Sequence, residues 1–206
     1  MDIEVPITWL ENRNSKVSKK YLSLEKILPD GLPRRVAAFH RQIPGYRRSP
    51  LKGLSNLAGR LGIGGIWVKD ESVRLDLSSF KVLGGSYAIY QLLKQRLGLM
   101  DQELSYETLT SPQMRARIGD LTFAAATDGN HGRGVAWSAT QLGCKSVIYV
   151  HKLTSKERIQ SIENNGAKVV VIDGNYDDAV RQISMDAEKN GWIVISDTSW
   201  PGYEDV

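Results

Sequence analysis

Apolar and polar positions follow a regular rhythm over the second half of the chain. Leu121-Thr122-Phe123-Ala124-Ala125-Ala126, Ser146-Val147-Ile148-Tyr149-Val150, Lys168-Val169-Val170-Val171-Ile172 and Trp192-Ile193-Val194-Ile195-Ser196 are short apolar runs of buried-strand length. Between them, residues 131–142, 155–165 and 175–190 carry helical spacing, and each stretch stops at a glycine: Gly143, Gly166 and Gly191. Strands alternating with helices predict βαβ units, that is, an α/β fold with an open, twisted parallel sheet flanked by helices on both faces. Upstream, residues 66–69 read as a short β-rich run that Asp70-Glu71-Ser72 breaks. Residues 80–97 place Leu83, Tyr87, Tyr90, Leu93 and Leu97 on one helical face, with Gly98 where a C-terminal cap belongs. Residues 100–118 are polar, contain Ser111-Pro112, and read as a connection with one short helix. Pro6, Pro29, Pro33, Pro44 and Pro50 interrupt residues 1–60, which read as irregular with short elements.

Composition narrows the class. The 206 residues are 41% hydrophobic and 24% charged, enough for a packed core and unlike a disordered chain. No apolar run approaches the ~18 residues of a membrane helix, so no membrane association is expected. The net charge of +4 is uneven: residues 1–60 hold 12 basic and 5 acidic side chains. Those basic residues are scattered, without a helix-turn-helix or an aromatic ribonucleoprotein pattern, so they read as a solvated or interface face and no nucleic-acid partner is expected. Met1-Asp2-Ile3-Glu4-Val5-Pro6 lacks the basic start and apolar stretch of a secretory signal. Cys144 is the only cysteine, which excludes an internal disulfide and fits a reducing cytoplasm. Beside Gly143 and before a strand, it reads as a buried apolar residue.

In open α/β sheets ligands bind beyond the carboxyl ends of the strands. Two of those ends are unusual here. After Ala126 comes Thr127-Asp128-Gly129-Asn130-His131-Gly132-Arg133-Gly134. Its G-x-x-G-x-G spacing is neither the dinucleotide fingerprint nor a Walker A loop. The turn still directs backbone N–H groups at an anion such as a substrate carboxylate. Asp128 is placed as a general base or as a helix cap, and His131 as an acid–base group or as a packing residue that hydrogen-bonds its loop. After Ser196 comes Asp197-Thr198-Ser199-Trp200-Pro201-Gly202-Tyr203-Glu204, where Asp197 either faces the same crevice as Asp128 or serves a turn. A third motif is Ser78-Ser79-Phe80-Lys81-Val82-Leu83-Gly84-Gly85. A lysine at a helix start meets partial positive charge that favours the neutral amine, the form Schiff-base chemistry requires, and Phe80 adds desolvation. The alternative is a surface lysine beside a helix-packing glycine pair. Gly84-Gly85 costs about 1 kcal/mol per glycine in a helix and points to close approach of a ligand or another backbone. His40 and His151 show no metal-ligand spacing, and no Gly-x-Ser-x-Gly elbow occurs.

Together the motifs resemble the fold type II, tryptophan-synthase-β-like pyridoxal-phosphate enzymes. Ser79-Phe80-Lys81 with Gly84-Gly85 resembles their cofactor-attachment segment, and Gly129-Asn130-His131-Gly132 their substrate-carboxylate loop. Within that group, the segments 126–134 and 197–204 are similar to those of the diaminopropionate ammonia-lyases. Asp128 is the discriminating residue, because serine/threonine dehydratases and cysteine synthases usually carry Ser or Thr there. The resemblance implies pyridoxal 5'-phosphate on Lys81, contacts from Phe80 and Asn130, and substrate contacts from Thr127, Asp128, Gly129, Asn130 and His131. It implies α,β-elimination of 2,3-diaminopropionate to pyruvate and ammonia, with Asp128 and Asp197 taking the α-proton of the D- and L-isomers respectively. A homodimer is implied as well. The rival readings are a dehydratase or β-replacement enzyme of the same fold, and an inactive fragment acting as a binding protein. Enzymes of this group are roughly twice as long, so the sequence reads as their N-terminal half, with the cofactor-phosphate loop expected in the later half. In that reading, residues 1–100 belong to the large cofactor domain and 101–206 to a smaller βαβ domain whose last residues lead back to the large one; the smaller domain is complete and the larger incomplete.

Overall fold

Alternating side chains along two central strands decide how the sheet is covered. In the computed structural model, which describes residues 30–127 and 129–198, Phe123 and Ala125 point to one face of β3 (Thr122–Ala126) and Ala124 to the other, and all three are fully buried. Strand β4 (Lys145–His151) does the same with Ile148 and Val150 against Val147 and Tyr149. Strands β5 (Lys168–Ile172) and β6 (Ile193–Val194) complete a parallel sheet of order β5-β4-β3-β6.

Helix α6 (Asn130–Gln141) follows β3 and packs Val135, Ala136 and Ala139 on the Phe123 face. Ile162 of α7 (Lys156–Glu163) joins that core. Helix α8 (Tyr176–Asn190) covers the other face with Ala179 and Ile183. Both faces are thus covered, as the apolar runs predict. Asn175 caps α8 through a full capping box with Asp178, and Gly191 ends it at φ +68°, where a side chain would be strained.

Upstream, α3 (Lys81–Arg96) lies on α6 and extends the first core. Its most buried positions are Val82, Gly85, Ser86, Ile89, Tyr90 and Leu93, whereas Leu83, Tyr87 and Leu97 of the expected stripe are only half-buried. The difference has a physical reason: α3 is covered by α6 on one side and by Phe39 and Tyr106 on another, so burial spreads around most of the helix. Phe39 lies in α1 (Leu32–Arg41) and stacks on Tyr90 at 4.4 Å. A small antiparallel pair, β1 (Leu51–Gly53) with β2 (Trp67–Lys69), flanks α2 (Ser55–Arg60). The connection at 100–118 forms two short helices rather than one, α4 (Tyr106–Thr110) and α5 (Pro112–Ile118). Ser105 caps the first, and Ser111 caps the second with Pro112 at its first turn.

The chain divides into two compact units, residues 1–36 and 37–206. In the first, the described residues are 30–36, where Arg35 donates to the carbonyls of Asp30 and Gly31. The second contains every strand of the described residues and the site below.

Candidate active site

The approach to Lys81 is pinned before the helix begins. Arg74, only 4% exposed, donates to Glu71 Oε2 at 2.7 Å, to Ser49 Oγ at 2.8 Å and to the Arg47 carbonyl at 3.0 Å. The hydrogen bond from Arg74 holds the Glu71 carboxyl below its ordinary range, against the upward push of burial. Beyond this anchor Leu75, Asp76 and Ser78 all have left-handed φ values of 47°, 58° and 50°. Left-handed conformations in three non-glycine residues are costly, and such strain gathers at functional segments. Ser79 Oγ then accepts the backbone N–H of Lys81 at 3.3 Å, and α3 starts there.

Lys81 is therefore the first residue of a 16-residue helix, as its motif suggests. Its Nζ lies 2.5 Å from Asp197 Oδ2 and 5.8 Å from the centre of the Phe80 ring. Asp197 follows β6, whose ladder is shorter than the apolar run 192–196: Ile195 still donates to the Ala124 carbonyl at 2.8 Å, and Ser196 turns the chain away by donating to the Thr198 carbonyl. Burial pushes the Asp197 carboxyl up. The Lys81 hydrogen bond, His131 in its protonated form and the charge of Lys81 outweigh that push and hold it below the usual carboxylate range. His131, 6% exposed, bonds the Ile195 carbonyl through Nε2 at 2.8 Å, and its Nδ1 is 4.0 Å from Asp197 Oδ2. The partner of His131 is thus the end of a neighbouring strand, not its own loop.

These groups border a cavity of about 290 Å³ lined by Lys81, Phe80, Gly84, His131, Ser196 and Asp197, among others. The glycine pair divides its duties. A Cβ at Gly84 would meet nothing within 4 Å and would point into open space, whereas one at Gly85 would touch the Gly134 and Val135 backbone at 3.6 Å. Two glycines in the first turns of α6 serve packing: a Cβ at Gly132 would lie 2.4 Å from Thr127 Cγ2, and one at Gly134 would lie 2.9 Å from Val82 Cα.

Thr127 is buried, donates its N–H to the Tyr149 carbonyl and accepts the Gly129 N–H on Oγ1 at 3.1 Å, which tightens the turn. Gly129 and Asn130 open α6 and border a second cavity of about 360 Å³ together with Arg133, Glu157, Arg158 and Ser161. The structure thus brings Lys81, Phe80, His131 and Asp197 to one cavity, and Gly129 and Asn130 to another. Asp128 and residues 199–204 lie outside the described residues. Arg133 and Arg158 line this second cavity from α6 and α7; the motif contains Arg133 without singling it out, and the place of Arg158 depends on α7 folding beside α6, which leaves no local sequence signal. No helix of the described residues is long and apolar enough to cross a membrane, and no group of three or more His, Cys, Asp or Glu among them could hold a metal ion.

Fit to an aldehyde cofactor rests on this donor set. An amine that is 35% exposed stands over open space beside an exposed aromatic ring, and a carboxylate faces it. That is the chemistry required to attach an aldehyde and move a proton.

Known proteins are similar to this chain through most of its length. Residues 43–204 match the family described as pyridoxal-phosphate dependent enzyme. A diaminopropionate ammonia-lyase of Salmonella typhimurium is 45% identical over 180 residues, covering 87% of this chain and 45% of that protein. Its Escherichia coli K12 counterpart is 48% identical over 169 residues, covering 82% and 41%. The crystal structure of the Escherichia coli enzyme in complex with an aminoacrylate-PLP azomethine reaction intermediate superposes with a TM-score of 0.76 at 45% identity, over 86% of this chain and 43% of that one. The chain spans less than half the length of these relatives. On its fold, its site geometry and a family match through most of its length, the chain belongs to the pyridoxal-phosphate dependent enzymes of fold type II.

Proposed function

We propose that this chain carries the lysine, carboxylate-loop and aspartate part of a diaminopropionate ammonia-lyase site. The reaction would be 2,3-diaminopropionate plus water giving pyruvate and two ammonia. The observation that carries the reading is the Lys81–Asp197 pair, an amine and a carboxylate facing each other across one cavity. Lys81 would attach the cofactor through its amine, with the exposed Phe80 ring beside it as a further cofactor contact. Bound pyridoxal phosphate supplies the electron sink that makes the substrate α-proton acidic. Asp197, held anionic by its cationic neighbours, accepts the α-proton of the L-isomer, and Asp128 that of the D-isomer. The N–H groups at the start of α6, with Gly129, Asn130, His131 and Thr127 around them, hold the substrate carboxylate. Asn130, which borders the second cavity in this structure, would contact the cofactor ring in the family reading.

The division into a large cofactor domain, residues 1–100, and a smaller domain, 101–206, belongs to this reading; the four-stranded sheet lying wholly within 101–206 supports it. So do a homodimer and a cytoplasmic location, which rest on the family resemblance and on the single, buried cysteine.

The test is borohydride reduction after incubation with pyridoxal phosphate, followed by peptide mass spectrometry. A visible absorption band and an adduct confined to Lys81, both lost in Lys81→Met, are expected. Label spread over surface lysines would overturn the assignment. Where the band forms, pyruvate release from D- and L-diaminopropionate or serine, or 2-oxobutyrate release from threonine, assigns the substrate. Asp128→Asn is expected to stop the D-isomer while sparing much of the L-isomer, and equal loss for both sinks that division of roles.

A further inference from the structure

His131 is held in one tautomer. Its Nε2 lies 2.8 Å from the Ile195 carbonyl oxygen, which can only accept, so Nε2 carries the hydrogen and the neutral ring presents Nδ1 as a lone pair. That lone pair lies 4.0 Å from Asp197 Oδ2, the oxygen that Lys81 Nζ holds at 2.5 Å. A lone pair facing a carboxylate is attractive only with a proton between them. In this structure Lys81 Nζ is the nearer of the two nitrogens to Asp197 Oδ2. To attack an aldehyde, Lys81 has to lose a proton.

We propose that His131 receives that proton: it passes from Lys81 Nζ to Asp197 Oδ2 and, through a water that spans the 4.0 Å gap, on to His131 Nδ1, leaving a neutral amine, an ionised Asp197 and an imidazolium. Charge is conserved through the transfer, and only N–H and O–H bonds break and form. The imidazolium then replaces the ammonium as the cation beside Asp197. Without it, a half-buried carboxylate would drift toward its neutral acid and could not accept a substrate proton. His131 acts through Asp197, so it is a positioning residue. Of the residues lining the cavity around it, Lys81 from α3 and Asp197 after β6 are the charged ones. The inference rests on the reading of Lys81 as the cofactor-attaching lysine.

A purely structural histidine would do no more than pin α6 to β6 through Nε2. Nitrogen NMR of the whole chain labelled at histidine separates the two roles. The chain has three histidines, and His131→Gln, whose amide nitrogen reaches toward the Ile195 carbonyl, assigns the His131 signals by their loss. An Nε2–H tautomer is expected at neutral pH. Lys81→Met is expected to raise the His131 titration midpoint by about one pH unit or more, because the competing cation is gone. Adding Asp197→Asn to Lys81→Met is expected to cancel the rise. An Nδ1–H tautomer, or a midpoint indifferent to loss of the Lys81 ammonium, overturns the relay. In a second readout, His131→Gln is expected to slow formation of the pyridoxal-phosphate adduct on Lys81 about tenfold near neutral pH, with recovery in alkali. An unchanged rate at all pH values counts against the relay. If no adduct forms on Lys81 in the parent chain, the functional reading fails, while the Lys81→Met titration still decides the relay.

Discussion

A methyl group on Gly134 would lie 2.9 Å from Val82 Cα and 3.0 Å from the Val82 nitrogen. The first turn of α3 therefore rests directly on the backbone of α6, and this contact sets where Lys81 stands relative to Asp197. Gly134→Ala is expected to force the two helices apart at a cost of about 1–3 kcal/mol. Gly85→Ala meets the same interface at an ordinary 3.6 Å and is expected to cost far less. Thermal melts of the two variants check the contrast; equal destabilisation would show that the helices slide freely.

Gly84 should behave in the opposite way. Its missing side chain faces open space beside the Lys81 cavity. Gly84→Ala gains up to about 1 kcal/mol of helix propensity while placing a methyl group where a cofactor has to fit. The expected result is an unchanged or higher melting temperature with a lower yield of the Lys81 adduct. A fall in both would mean that Gly84 serves packing.

The Arg74–Glu71 pair anchors the strained segment before Lys81. Glu71→Gln leaves a buried guanidinium without its carboxylate and is expected to cost about 3 kcal/mol at neutral pH. The folded carboxyl lies below its ordinary value of 4.5. Its contribution is therefore present above that value and is lost as the pH falls through the folded one. The gap in melting temperature between the parent chain and Glu71→Gln should narrow as the solution is taken from neutrality to below about pH 4. A gap that stays constant would mean that charge plays no part.

Cys144 is buried, and burial pushes its thiol up to about 11. Little thiolate exists near pH 8 and reagents cannot reach it, so an aromatic disulfide reagent should label the folded chain slowly and the urea-unfolded chain at once. Rapid labelling of the folded chain would place Cys144 on a locally opening edge.

Local signals made much of the fold legible. Runs such as 168–172 match their strand because an apolar run between a glycine and a cap has few alternatives. The expected stripe of α3 does pack on the core, but helical periodicity assumes one buried face and so does not reveal that Val82, Gly85, Ser86 and Ile89 are buried more deeply. The two short helices at 106–118 begin at serine caps rather than at an apolar rhythm, so their polar composition concealed them. In the site, Lys81 and Asp197 could each be singled out by motif and by strand end. Their pairing across 116 residues, and the bond from His131 to Ile195, are products of packing. Of the glycines after β3, Gly132 and Gly134 meet protein, which the motif alone does not reveal, whereas Gly129 faces open space.

The order β5-β4-β3-β6 has a consequence for how such a site can diversify. From β3 the chain steps outward to β4 and β5 with α6 and α7 on one face; it then returns beneath α8 to the opposite side of β3. The groove bearing His131 and Asp197 opens at this reversal, so its existence is a property of chain routing rather than of the charged residues within it. A lineage inheriting this routing is free to exchange the reactive side chains at the two strand ends, and with them the substrate it attacks, while the apolar framework underneath goes unedited.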